Sequence, residues 1–173
     1  MGTNTEAAQR PAWVRIMLIG RNPRRTLIRI VIWVVTCFAV TKFVLLPIKV
    51  EGVSMLPTYK ENRVNFVNRL AYIHSKPKRG DVVAIRLAGP SIMYMKRIVG
   101  LPGETVEFRE GQLLIDGQVL SEPYVKLNGN WEHQAEKVGP DEYFVVGDNR
   151  SMGYYEHTKG RARRDRIMGK ILL

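Results

Sequence analysis

The chain has 173 residues, 45% of them hydrophobic, and a formal net charge of +11. That length suggests one domain plus an appendage rather than two full domains, with enough apolar residues for a real core. Its single cysteine, Cys37, excludes an intrachain disulfide, and no Cys/His spacing suits a metal site. The charge suits a nucleic-acid binder or a protein lying against an anionic membrane.

The first nine residues, MGTNTEAAQ, are polar and expected to be disordered. A myristoylation start is excluded, because Glu6 stands where that motif needs Ser or Thr. A basic stretch follows, with Arg10, Arg15, Arg21, Arg24 and Arg25, and then the run LIRIVIWVVTCFAVTKFVLL over 27–46. As a helix this run rises about 30 Å, enough for a hydrocarbon core. Arg29 and Lys42 lie near its ends, where long basic side chains can snorkel, and Pro47 is expected to stop it.

Three readings compete for the run. A buried soluble helix is possible, but a helix apolar all round needs a large core around it, and only about 125 residues remain to supply it. A cleaved export signal is possible, with Cys37-Phe38-Ala39 as a small-x-small site, but the basic front is long for a signal. An uncleaved anchor fits best. It predicts a cytoplasmic basic segment over 1–26, a single transmembrane helix over 27–46, and an extracytoplasmic domain over 47–173 in the cell (inner) membrane, by the positive-inside rule.

Beyond Pro47 the chain reads as mainly β. VNFV (64–67), DVVAIRL (81–87), IMYMKRIV (92–99), ETVEF (104–108) and EYFVV (142–146) are short runs rich in β-formers. In QLLIDGQVL (112–120), Asp116-Gly117 between apolar arms predicts a type I′ hairpin. Gly80-Asp81, Gly89-Pro90, Pro102-Gly103 and Gly139-Pro140 punctuate the runs. The expected architecture is a compact antiparallel β-sheet domain on one N-terminal transmembrane helix.

Three stretches could carry chemistry. VEGVSMLPTY (50–59) holds Ser54 beside Gly52 and Pro57. By itself it reads as a turn, since a serine hydroxyl needs a base to become a nucleophile. In MYMKRIVGLPGE, strand periodicity puts Tyr94, Lys96 and Ile98 on one face. A lysine buried there loses affinity for its proton and becomes a competent base; a lysine at a solvated edge, with Arg97 sharing the exposure, is the plain alternative. VVGDNRS (145–151) ends a strand in a turn. A His157 triad with Asp148 or Asp165 is a further option for Ser54, although His74, His133 and His157 are isolated in sequence. The basic tail KGRARRDRIMGK lacks the interleaved aromatics of a nucleic-acid site and reads as a solvated face, or one on anionic lipid.

Taken together and in this order, VEGVSMLPT, YMKRIVGLPGE and VVGDNR resemble the successive sequence boxes of type I signal peptidases, from about Phe43 to the C-terminus. The resemblance implies a membrane-bound serine endopeptidase that removes signal peptides from exported preproteins after small residues at −1 and −3. Ser54 would be the nucleophile, Lys96 its general base, and the Ser54 amide an oxyanion donor. Gly52, Val53, Met55, Pro57, Tyr94, Asp148, Asn149 and Arg150 are expected around this dyad as substrate-binding or structural residues. The expected partners are exported preproteins and membrane lipid, with no cofactor, metal or nucleic acid, and the chain is expected to be a monomer.

The pattern departs from the family at one place. Where members usually follow Gly-Asp-Asn-Arg with Ser-x-Asp-Ser-Arg, an ungapped alignment places Gly153, Tyr155 and His157 at the serine, aspartate and arginine. A hydroxyl of Ser151, Tyr154 or Tyr155 is then expected to orient Lys96, or packing alone does so, and Glu156 is expected to pair with His157 or a basic neighbour. Two rival functions stay open. One is a peptidase dedicated to a single exported substrate such as a pilin. The other is a non-catalytic, basic, membrane-tethered binding module.

Overall fold

The computed structural model describes residues 22–88, 92–156 and 160–172. It divides into two units, Met1–Thr41 and Lys42–Leu173. The described part of the first is helix α1 (Pro23–Ala39), which runs on into a π-helical turn, Val40–Val44. Pro23 sits at the helix start, where its missing N–H leaves no bond unmade. Nothing in α1 is buried, and Trp33 is 74% exposed. Pro23–Val44 spans 22 residues at a mean hydropathy of 2.1, long and apolar enough to cross a membrane.

The helix therefore lies earlier than the 27–46 run. Leu45, Leu46 and Pro47 belong instead to strand β1 (Leu45–Lys49), which pairs antiparallel with β2 (Val64–Asn68). The apolar run continues unbroken across the change, so hydropathy alone does not mark it. Pro47 does not end the helix; it occupies an edge strand, where a missing donor is tolerated.

The second unit holds two antiparallel sheets. The larger has seven strands in the order β1-β2-β11-β3-β4-β9-β10, with β3 at Val82–Ala88, β4 at Ile92–Gly100, β9 at Glu142–Val146, β10 at Gly160–Arg163 and β11 at Ile167–Leu172. The smaller has the order β7-β6-β5-β8, with β5 at Thr105–Arg109, β6 at Gln112–Ile115, β7 at Gln118–Val119 and β8 at His133–Lys137. Asp116 and Gly117 both take positive φ, 50° and 78°, as a type I′ turn requires.

The basic tail folds into strands β10 and β11 and the short turn between them, in which Arg161, Arg163, Arg166 and Lys170 stay exposed as the solvated face. Ala162, Ile167 and Ile171 are its buried side, and among its charges Arg161 pairs with Glu136 and Glu142, Arg163 with Asp165, and Lys170 with Asp81 at 2.7 Å. The segment LNGNWEHQAEKVGP (127–140) contributes strand β8, and Trp131 within it is buried against Phe108. Gly129 lets this segment approach the 147–150 turn, since a Cβ there would overlap the Arg150 carbonyl.

One consequence of the topology positions the site. β4 pairs with β9 only from Arg97 onward, so among the described residues Met93–Lys96 pair with β3 alone. β1 is the edge of the same sheet. Two backbone edges are thus left open, one on β1 and one on the first half of β4.

Candidate active site

A groove of about 550 Å³ lies between these two edges, lined on one side by Pro47–Gly52 and on the other by Met93–Lys96, with Ala84 from β3 also in its wall. Ser54 and Met55 complete the lining. Ser54 stands in the turn that follows β1, and that turn is fastened from both sides. Val50 exchanges hydrogen bonds with residues 62 and 63, and the Tyr59 amide donates to the Met55 carbonyl. Met55 is 2% exposed and anchors the turn in the cluster formed by Val50, Val67, Ala84 and Met95. Pro57, exposed, follows a cis peptide bond.

The Gly-Asp-Asn-Arg turn closes over Ser54. The Asn149 amide donates to the Ser54 carbonyl at 3.0 Å, and Asn149 Nδ2 to the Val53 carbonyl at 3.1 Å. Ser151 holds the other end of the Asn149 amide through its own N–H and hydroxyl. Arg150 is buried. It donates to the Gly147 carbonyl and to both carboxylate oxygens of Glu122, and it lies over the Trp131 and Phe108 rings. The turn that grips Ser54 is in this way tied to the small sheet.

Lys96 is 3% exposed, and its Nζ donates to Ser54 Oγ at 2.7 Å. Burial pushes its pKa down from 10.5 to about 8, while the nearby Asp148 carboxylate pulls the other way. Tyr94, two residues earlier, is half-buried against the cluster that contains Ile98, and burial raises its pKa. An amine of this kind is neutral in a useful fraction of molecules near neutral pH. The proton of Ser54 then has an acceptor at hydrogen-bonding distance.

Arg97 does not share a solvent-exposed edge. Its guanidinium bonds Asp148 at 2.8 and 2.6 Å, reaches the Gly80 carbonyl, and stacks on Tyr124 at 3.9 Å. Asp148 is fully buried and also accepts the Thr58 hydroxyl at 2.6 Å. Thr58, Arg97, Glu122 and Tyr124 are not evident as site residues in sequence. The signal available was that IMYMKRIV has no polar face, which is the mark of a strand covered on both sides.

The substitutes expected for the missing lysine orienter do not reach Lys96, whose one side-chain hydrogen bond among the described residues is to Ser54. Ser151 is engaged with Asn149. Tyr154 packs on Phe108 and Trp131, and Tyr155 is 92% exposed. Glu156 caps its own turn by accepting the Gly153 amide. His157 lies outside the described residues. The alternative histidine triad finds no support in its acids, since Asp148 is taken by Arg97 and Thr58, and Asp165 pairs with Arg163. Among the described residues no cluster of His, Cys, Asp and Glu could hold a metal ion.

The model of the family described as signal peptidase, peptidase S26, matches residues 24–173. A signal peptidase I from Leptolyngbya laminosa is 34% identical over 148 residues, covering 81% of this chain and 73% of that protein. Signal peptidase I S from Bacillus subtilis (strain 168) is 38% identical over 132 residues, covering 70% and 71%. Among solved structures, a signal peptidase I from Enterococcus faecalis V583 aligns with a TM-score of 0.43 at 31% identity, covering 57% of this chain and 98% of that one.

Proposed function

The chain belongs to the signal peptidase family, peptidase S26, a family of serine protease hydrolases that act on exported preproteins, and from that premise we propose how it cuts them. Ser54 is the nucleophile and Lys96 the general base. The observation that carries this reading is the 2.7 Å contact between a buried, easily deprotonated amine and the serine hydroxyl.

The preprotein enters extended and adds a strand between the two open edges, β1 on one side and Met93–Lys96 on the other. Residues upstream of the cut occupy the groove, and its shallow walls admit small side chains at −1 and −3. Neutral Lys96 takes the Ser54 proton as Oγ attacks the carbonyl of residue −1. The Ser54 amide, which donates to nothing among the described residues, turns to the oxyanion. The Lys96 ammonium then protonates the departing amine. In the second half, neutral Lys96 activates a water that hydrolyses the ester. Gly52, where some family members carry a serine, offers no hydroxyl, and its own amide is occupied by Glu61 at 3.2 Å.

The helix over Pro23–Val44 anchors the enzyme in the membrane, with the arginine-rich segment in the cytoplasm and the β-domain on the outer side, where exported chains emerge. Purified full-length chain in detergent should cut a general exported preprotein once, at the junction that follows small residues at −1 and −3. Ser54→Ala should leave it whole. An intact preprotein with the parent enzyme would favour a peptidase dedicated to one substrate, and cutting by Ser54→Ala would remove the nucleophile assignment.

A further inference from the structure

Beside the groove, next to two of its lining residues but outside the lining itself, stands a guanidinium that the fold leaves largely unused. Arg86 follows Ala84 by one pleat on the same face of β3 and stands level with Met93 of β4; Ala84 and Met93 both line the groove. A guanidinium carries five N–H donors. In Arg86, Nη2 rests on the Met168 sulfur at 2.8 Å, a weak acceptor, and Nε is buried with no partner. Among the described residues no carboxylate or carbonyl takes the rest of the fork. A buried donor left unpaired is destabilising unless something else supplies the acceptor.

The position of Arg86 suggests what that acceptor is. Met93 lies three residues before Lys96 on β4, which is about 10 Å along an extended strand. A peptide with residue −1 at the dyad and its upstream part in the groove comes level with Arg86 about four residues before the cut. Signal peptides carry an apolar segment of roughly 7–15 residues just upstream of such a small-residue stretch. In a membrane that segment must be helical to satisfy its own backbone. Its last turn then presents carbonyls without intrahelical partners, at the negative end of the helix dipole.

We propose that Arg86 binds these helix-terminal carbonyls, at the point where the signal peptide passes from helix to extended strand. This assignment rests on the signal peptidase reading of the groove. It makes Arg86 a sensor of the helix-to-strand junction, separate from the pockets that read side chains at −1 and −3. A guanidinium suits the task because its fixed fork can serve two carbonyls at once.

The test uses full-length enzyme and two substrates: a whole preprotein, and a short peptide that begins four residues before the cut and lacks the apolar helix. Arg86→Met keeps the bulk and removes the donors. It should raise KM for the preprotein about tenfold, with kcat within about twofold, the loss expected for hydrogen bonds to a charged group. KM for the short peptide should change by less than about twofold, which also verifies that the variant is folded. Arg86→Lys should recover part of the preprotein affinity. Equal effects on both substrates would mark a structural role and overturn the proposal, and so would no effect on either. Parent enzyme that cuts neither substrate would instead overturn the reading on which the proposal stands.

Discussion

Lys96→Met should lower the rate of preprotein cleavage by about 10⁴-fold, the upper end of what a general base contributes, with substrate binding retained. Methionine fills the same channel, so the groove keeps its shape and Ser54 Oγ loses its proton acceptor. Lys96→Arg should fail equally, because a guanidinium does not give up its proton at any usable pH. A second effect runs the other way. Burial brings the Lys96 pKa from 10.5 to about 8 in the folded chain. Below about pH 8 the lysine is charged both folded and unfolded, and the fold carries the full cost of the buried ammonium, about 3 kcal/mol. Between about pH 8 and 10.5 the unfolded chain binds more protons than the folded one, so parent stability rises with pH and the cost disappears. Lys96→Met should therefore melt higher than the parent at neutral pH, less the lost bond to Ser54, and the difference should shrink above about pH 8. A variant both inactive and more stable separates catalytic loss from misfolding. Turnover in either variant at the parental rate would remove Lys96 from the mechanism.

Asp148→Asn should destabilise the β-domain by about 3–5 kcal/mol, the range for breaking one side of a buried ion pair. The carboxylate is fully buried and accepts three hydrogen bonds, two from Arg97 and one from Thr58. Asparagine keeps the shape and leaves the Arg97 charge uncompensated, with its side chain only 11% exposed. The same carboxylate holds the Lys96 pKa up against the effect of burial. Its loss should let Lys96 deprotonate at lower pH, so the acid limb of the activity profile moves down while the melting temperature falls. Thermal melts and a pH profile on one preparation read both. An unchanged melt would show that the pair contributes nothing to the fold. An unmoved acid limb would show that Asp148 does not act on the dyad.

These two residues also mark what a sequence can reveal. The strands over 82–88, 92–100 and 142–146 and the Asp116-Gly117 hairpin are legible because their apolar periodicity and turn chemistry are local. Strand β1 is hidden inside a continuous apolar run, and β8 is a polar strand whose place in the small sheet depends on pairing with β5. β10 and β11 are disguised by their charges, although the alternate residues Ile167, Gly169 and Ile171 are buried.

The site divides in the same way. Ser54 and Lys96 stand out through the order of three short motifs, and they prove to be hydrogen-bonded across 42 residues of chain. The surroundings of the dyad do not stand out. Arg97 reads as a surface charge until Asp148, 51 residues later, is folded against it. The expected hydroxyl from 151–156 is not at Lys96, because Tyr154 is drawn to the aromatic cluster of the small sheet. Burial, the Ser54 bond and the Asp148 field are what hold the lysine.

The proposed chemistry requires Lys96 to be a base with a depressed pKa beside Ser54. Its most direct test is titration of the Lys96 side chain by NMR, on full-length chain with isotope-labelled lysine in detergent micelles, the signal being assigned by its loss in Lys96→Met. A midpoint near pH 8, matched by the acid limb of kcat/KM, is the predicted result. A midpoint near 10.5, the value of a lysine in water, would contradict it.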